Sequence, residues 1–253
     1  MKALTVGVMA AAMALCVGKA NAADVKILTA GAFKPVVSAL APSFEKMTGH
    51  KLVIENDTAG ALSKRIESGE AFDAVFLTPA ALKDLTSKGL TAAEPQANVA
   101  RVAIGVAVKD GANAPDISST EAFKAALRAA KRIAVIDPKA GGSSGIYLAD
   151  LFQKWGMTDE LQPKLVLVPG GLVATRVVNG EADIAIHQIS EILAVPGAKL
   201  VGPLPADIQN YTVYRGARST KSAQPNAADA FIAAMSSAEA AAILKDKGME
   251  RPN

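Results

Sequence analysis

Short apolar, β-branched runs alternate along this chain with longer stretches whose apolar residues recur at helical spacing. That is the pattern of strand–helix units built on a parallel sheet. Residues 25–28, 51–55 and 73–77 read as the first three strands. After the first strand, Val36, Val37, Leu40, Phe44 and Met47 share one face of a helix that starts near Pro35 and stops at Gly49. Proline suits a first helical turn, whereas Pro42 inside the helix is expected to kink it. A turn at residues 56–60 leads into a short helix carrying Leu62 and Ile66, and residues 79–88 form a third helix, closed by Gly89. Residues 101–109 make a longer apolar strand that suits a chain crossing between two lobes. Ser118 and Glu121 have capping-box spacing ahead of the helix of Phe123, Leu127 and Ala130.

The same rhythm then returns. Residues 133–136 are a strand, residues 137–147 a glycine-rich turn into a helix, and that helix ends at Gly156. A strand at 165–168 leads through Gly170 and Gly171 into a helix carrying Leu172, Val173 and Val177. Residues 183–187 form a buried-looking strand, followed by a short helix over 188–193. Residues 210–215 alternate like a return crossing, and two alanine-rich helices follow over 226–235 and 239–247. The expected architecture is therefore α/β and two-lobed, each lobe a central sheet flanked by helices. Residues 23–101 with 203–253 make lobe 1, and residues 102–202 make lobe 2. In such lobes ligands collect at the carboxyl ends of the strands. This draws residues 30–32, 56–60, 143–145, 170–171 and 187–188 around one interlobe cleft. The glycine-rich turn is the strongest single candidate, because its backbone can approach a ligand and the N–H groups of a helix N-terminus favour an anion.

Composition narrows the chemistry. The net charge of +3 is spread over mixed acids and bases, and aromatics are only 4% of the chain. Nucleic-acid binding therefore has no support. Lys2, the uninterrupted small and apolar run over residues 3–17, and Ala20-Asn21-Ala22 read as an export signal cleaved after Ala22, which places the mature protein in the periplasm. The sole cysteine, Cys16, lies within that signal, so the mature chain offers neither disulfides nor thiol chemistry. With His50 and His187 the only histidines, a metal cluster is not expected, nor any cofactor.

Several motifs carry a family resemblance. They are Thr29-Ala30-Gly31-Ala32-Phe33, then Thr48-Gly49, and the run from Gly60 to Gly69 followed by Asp73-Ala74-Val75-Phe76. Asp137-Pro138 with Ser144-Gly145-Ile146-Tyr147, and the run from Gly180 to Ile186, complete the set. In these the chain resembles the periplasmic molybdate-binding proteins, across nearly the whole mature length. The resemblance implies the type II periplasmic solute-binding fold, a monomer, and a membrane transporter as partner. It also implies a tetrahedral oxyanion held by neutral donors: loop hydroxyls, backbone N–H groups and a tyrosine. On this sequence the first-loop serine position, beside Gly31, falls at Ala32. The second-loop positions fall at Thr58, Ala59 and Gly60, the backbone donors at Ser144 and Gly170, and the tyrosine at Gln188. Ala32 and Ala59 carry no hydroxyl. A charge-assisted hydrogen bond is worth roughly 1.5–3 kcal/mol. Two missing donors weaken oxyanion binding by about two to four orders of magnitude. A small di- or tricarboxylate is therefore favoured over molybdate, with Ser143 and Ser144 supplying donors that the first lobe lacks. Such a ligand wants cations, and Lys34, Arg101, Lys139, Arg176 and Arg215 are the candidates. Arg101, at the start of the crossing strand, joins the predicted binding set.

A second branch of the same fold also fits. The chain is similar to bacterial aconitate isomerases, which interconvert cis- and trans-aconitate by an allylic proton shift and need no metal, cofactor or thiol. That resemblance implies a proton carrier in the cleft. His187 is the natural choice, and Glu191, Asp57 and Tyr147 are reserves; the alternative for His187 is a core or supporting histidine bonded to backbone. Binding for delivery to a transporter, isomerisation, and a sensing or scavenging role all remain open at this point.

Overall fold

The computed structural model describes residues 23–252. The expected cleavage site and Cys16 lie outside the described residues. The chain runs β1 (Asp24–Ala30), α1 (Lys34–Thr48), β2 (Lys51–Asp57), α2 (Ala59–Glu67), β3 (Ala74–Leu77), α3 (Pro79–Ser87) and β4 (Ala97–Lys109). It continues through α4 (Thr120–Ala129), β5 (Ile133–Ile136), α5 (Ser143–Lys154), α6 (Thr158–Leu161), β6 (Leu165–Val168) and α7 (Thr175–Val178). It closes with β7 (Ile184–Gln188), α8 (Ile189–Leu193), β8 (Ala198–Pro203), β9 (Tyr211–Arg218), α9 (Pro225–Ala234) and α10 (Ala238–Asp246).

The strands hydrogen-bond in the order β2-β1-β3-β9-β4-β7-β5-β6, with β8 also on β4. β1 pairs in parallel with β2 and β3, and β5 in parallel with β6 and β7. Each half thus places its first strand in the middle, with the next two on opposite sides. That arrangement creates a switch point at the carboxyl end of the middle strand, where loops diverge and leave a crevice. β4 joins the halves: its residues 97–103 pair with β9, while residues 104–109 pair with β7 and β8. The long apolar run read as a crossing strand is this element, with β9 the antiparallel return.

Packing follows the strand alternation. Ile104, Val106 and Val108 of β4, with Ile133 and Val135 of β5, enter a core with Phe123, Leu127, Leu148 and Phe152. Ala107, Ala134 and Ile136 point to the opposite face and meet Val173, Val177 and Ile192. This is the period-2 signature of a sheet covered on both faces. The other half has its own core of residues 25–102 and 214–249, in which Phe33 stacks on Tyr214 with ring centroids 5.6 Å apart. α8 belongs to both sides: Ile189 packs against the first core and Ile192 sits within the second half's.

Local expectations are adjusted in several places. α1 continues unbroken through Pro42, and its buried stripe ends at Phe44, leaving Met47 75% exposed in the last turn. Ser119, not Ser118, caps α4, its Oγ accepting from the N–H of Ala122; Ser118 N–H is already held by Asp116. α7 is a single turn starting at Thr175. β8 was not expected at all. Its Gly202-Pro203 ending reads as loop, and only pairing with β4 makes it a strand.

Candidate functional site

The two switch points face each other across a cavity of about 640 Å³. One wall comes from the ends of β1 and β2, another from the start of α5, and the floor from the β7–α8 junction. Gly31, Ala32, Thr58, Ala59, Ser143, Ser144, His187, Gln188 and Glu191 all line it. Ile136 and Gly142 mark the place where β5 hands over to α5.

The α5 N-terminus is built to receive something negative. Its cap is Gly142, which supplies no side-chain oxygen to the N–H groups that open the helix. The first turn of any helix leaves such donors without intrahelical partners and carries partial positive charge. Gly145 lets this turn sit flush on the sheet, because a Cβ there would collide with the carbonyl oxygen of Ile136. Ser144 is buried at the cavity wall.

The floor is different in character. His187 lies on β7 and Glu191 one helical turn beyond it, and His187 Nε2 stands 3.2 Å from Glu191 Oε2. Their side chains are 3% and 10% exposed. Burial alone drives both toward their neutral forms: it pushes the Glu191 carboxyl well above the ordinary carboxylate range and holds the His187 imidazole well below its usual value. At neutral pH the two groups therefore hold one ionisable proton, on Glu191, and carry little net charge. His187 Nδ1 has no protein partner among the described residues, so the reading of this histidine as bonded to backbone does not hold. Gly31 is glycine for the sake of Glu191: a Cβ there would lie 2.6 Å from Glu191 Oε1. Tyr214 also lines the cavity, and the nearby Glu191 adds to the burial that raises its phenol.

Other predicted residues have different employment. The Thr58 hydroxyl caps α2, accepting from Ala61 N–H, and donates its proton across the cleft to the Ala140 carbonyl. It is a clasp between the two walls rather than a free ligand donor. Beside it, Gly60 N–H donates to Gly141 O at 3.2 Å, and a Cβ on Gly60 would lie 2.8 Å from Gly141 Cα. The Ala32 carbonyl accepts from the Ser190 hydroxyl at 2.7 Å, pinning α8 to the β1 loop. Gln188 donates from Nε2 to Thr212 at 2.8 Å, and its Oε1 is buried without a partner among the described residues. Gly170 falls outside the cavity lining, where Gly171 and Leu172 stand instead.

The arginines are the clearest correction. Arg101 pairs with Glu250 at 3.2 Å and lies over the Tyr211 ring, away from the cavity. Arg176 pairs with Glu181, and Arg215 donates to Asn98. Neither they nor Lys139 line the cavity, so of the five candidate cations only Lys34 does. Tyr147 is also removed from the list of proton carriers, since its hydroxyl donates to the Ile208 carbonyl at 2.6 Å. Asp57 is at the wall, with one oxygen accepting from Thr58 N–H. No group of three or more potential metal ligands occurs among the described residues.

A family model of bacterial extracellular solute-binding proteins matches residues 25–250. The chain belongs to this family. It is 34% identical over 230 residues to an aconitate isomerase from Pseudomonas sp., covering 88% of this chain and 86% of that protein. It is 26% identical over 200 residues to the molybdate-binding protein ModA of Escherichia coli K12, covering 77% of each. Among solved structures, the periplasmic molybdate-binding protein of Azotobacter vinelandii superposes with a TM-score of 0.77 at 22% identity, over 90% of this chain and 100% of that one. The fold is thus the type II periplasmic binding-protein architecture. The observed cleft is the place where such a fold takes up its solute.

Proposed function

We propose that this protein binds a small di- or tricarboxylate in the cleft and isomerises it by moving a proton along an allylic system, with aconitate as the substrate. The observation that carries this reading is the buried His187–Glu191 pair on the cavity floor. A protein that only holds an oxyanion is served by fixed neutral donors and has no use for a buried pair that can take up and give back a proton. A proton-transfer enzyme, by contrast, needs a desolvated acid–base group whose affinity for a proton is matched to neutral pH.

In this reading one substrate carboxylate sits on the N–H groups at the start of α5, assisted by Ser143 and Ser144. The carbon acid faces the His187–Glu191 pair. With Glu191 in its ionised form, its carboxylate takes the proton from the methylene carbon, leaving an allylic carbanion delocalised into the attached substrate carboxylates. It returns the proton at the far end of the allylic system, and the double bond moves by one position. The starting protonation state is restored, so nothing is consumed. Gly31 and the Ser190–Ala32 hydrogen bond fix where the Glu191 carboxyl points. Similarity to an aconitate isomerase supports the choice of substrate. The cavity volume, about 640 Å³, is within the range of roughly 300–1,000 Å³ common for small-molecule sites, which is ample for a tricarboxylate.

The test is incubation of the purified protein with cis-aconitate, with trans-aconitate followed by chromatography and by NMR in deuterated water. Interconversion with a Glu191→Gln variant at least 100-fold slower is expected. A protein that binds aconitate without converting it would return the reading to simple solute capture for a transporter.

A further inference from the structure

We infer that Lys34 is a second anion-recognition point that makes the cleft select ligands with more than one carboxylate. The inference rests on the proposed carboxylate chemistry and deepens it. Lys34 opens α1 immediately after the β1 loop and lines the cavity. It is the only lysine or arginine that does so, and no salt bridge holds it among the described residues. Ser38, one helical turn on, lines the same cavity, so the two present a polar strip at i and i+4 on one face of α1.

The opposing anion site belongs to another part of the chain. The α5 N-terminus lies in the half built on β5, whereas Lys34 lies in the half built on β1. A monocarboxylate can satisfy one of these points. A di- or tricarboxylate can satisfy both and tie the two walls together. Ligand charge also matters for the floor. Asp57 and Glu191 are the acidic side chains at the cavity, and a polyanion brought close to them needs a compensating cation. Lys34 is the side chain in position to supply it. Being exposed, it can reach its ligand only where water is displaced by binding, so its contribution should fall with salt.

The experiment is a calorimetric titration of wild type, Lys34→Met and Lys34→Arg. The probes are propane-1,2,3-tricarboxylate, which is saturated and cannot undergo an allylic shift, and propionate as the monocarboxylate control. Lys34→Met should weaken tricarboxylate binding by about tenfold or more, as expected for one charge-assisted hydrogen bond. It should leave propionate within about twofold, and Lys34→Arg should recover most of the loss. The wild-type affinity for the tricarboxylate should fall more steeply with ionic strength than that of Lys34→Met. Equal binding of the tricarboxylate by wild type and Lys34→Met overturns the role of Lys34 alone. So does an equal loss for both probes. Failure of wild type to bind the tricarboxylate overturns the carboxylate reading together with the inference drawn from it.

Discussion

Replacing Gly60 by alanine isolates closure from folding. Gly60 lies in the first turn of α2 and its backbone is not in the left-handed region, so alanine fits the helix there at least as well as glycine. The first-half fold should therefore lose nothing. Across the cleft, however, the new Cβ would lie 2.8 Å from Gly141 Cα, a backbone atom with no flexible end to swing aside. Ordinary carbon contacts sit at about 3.5–4.0 Å, so the walls must part by about 1 Å. That breaks the Gly60–Gly141 hydrogen bond, now 3.2 Å, and stretches the Thr58–Ala140 bond beside it. Two hydrogen bonds at about 0.5–1.5 kcal/mol each make the closed state about 1–3 kcal/mol less favourable. Ligand affinity should fall by about 5- to 150-fold, because a ligand held by both walls binds only the closed form. Calorimetry against propane-1,2,3-tricarboxylate gives the affinity, thermal unfolding the stability, and small-angle scattering the compaction on binding. An unchanged melting temperature with weakened binding is the expected result. Unchanged affinity and compaction would refute the role of this contact in closure.

Other outcomes follow from the floor of the site. Gly31→Ala should displace the Glu191 carboxyl and lower turnover at least tenfold while changing the melting temperature little, since the clash falls on a side-chain tip; unaltered kcat would show that the Glu191 position is not set there. The His187–Glu191 pair should also give stability a defined pH profile. Ordinary values are 6.5 for histidine and 4.5 for glutamate, against about 3 and about 8 in the fold. Between pH about 3 and 4.5 the unfolded chain binds one more proton, so stability rises with pH; from about 4.5 to 6.5 the two groups cancel; from about 6.5 to 8 the folded chain holds the extra proton and stability falls. The limiting slope is about 1.4 kcal/mol per pH unit. Subtracting the unfolding free energies of a His187→Gln, Glu191→Gln double variant from those of wild type should reveal this plateau, and a difference flat from pH 3 to 8 would contradict it.

Periodicity made the strand–helix rhythm, both crossing strands and the cleft legible, because burial on both faces writes itself as apolar runs. β8 escaped because its pairing depends wholly on its neighbour β4. His187 and Glu191 were each legible as candidates, but their pairing was not, because it depends on how the β7–α8 junction turns. Electrostatic partners were not legible either. Arg101 looked well placed at the start of a crossing strand, yet its partner Glu250 is 149 positions away, and such a pairing leaves no local trace. Thr58 stands in the cavity wall as its loop position implies, and only the approach of Ala140 shows where its hydroxyl proton goes.

α8 has one more implication. Its Ser190 is tied to the β1 loop, its Ile189 rests on one core and its Ile192 on the other. The clasp at Thr58 and Gly60 is made instead by the β2–α2 and β5–α5 junctions. His187 and Glu191 thus stand where the two cores meet, apart from the contacts that join the cavity walls. Under the proposed function, substitutions at the walls change what is admitted and how tightly it is held, and leave the buried pair intact. On that reading, a carrier and a catalyst built on this scaffold differ by a few side chains at the junction of the two cores.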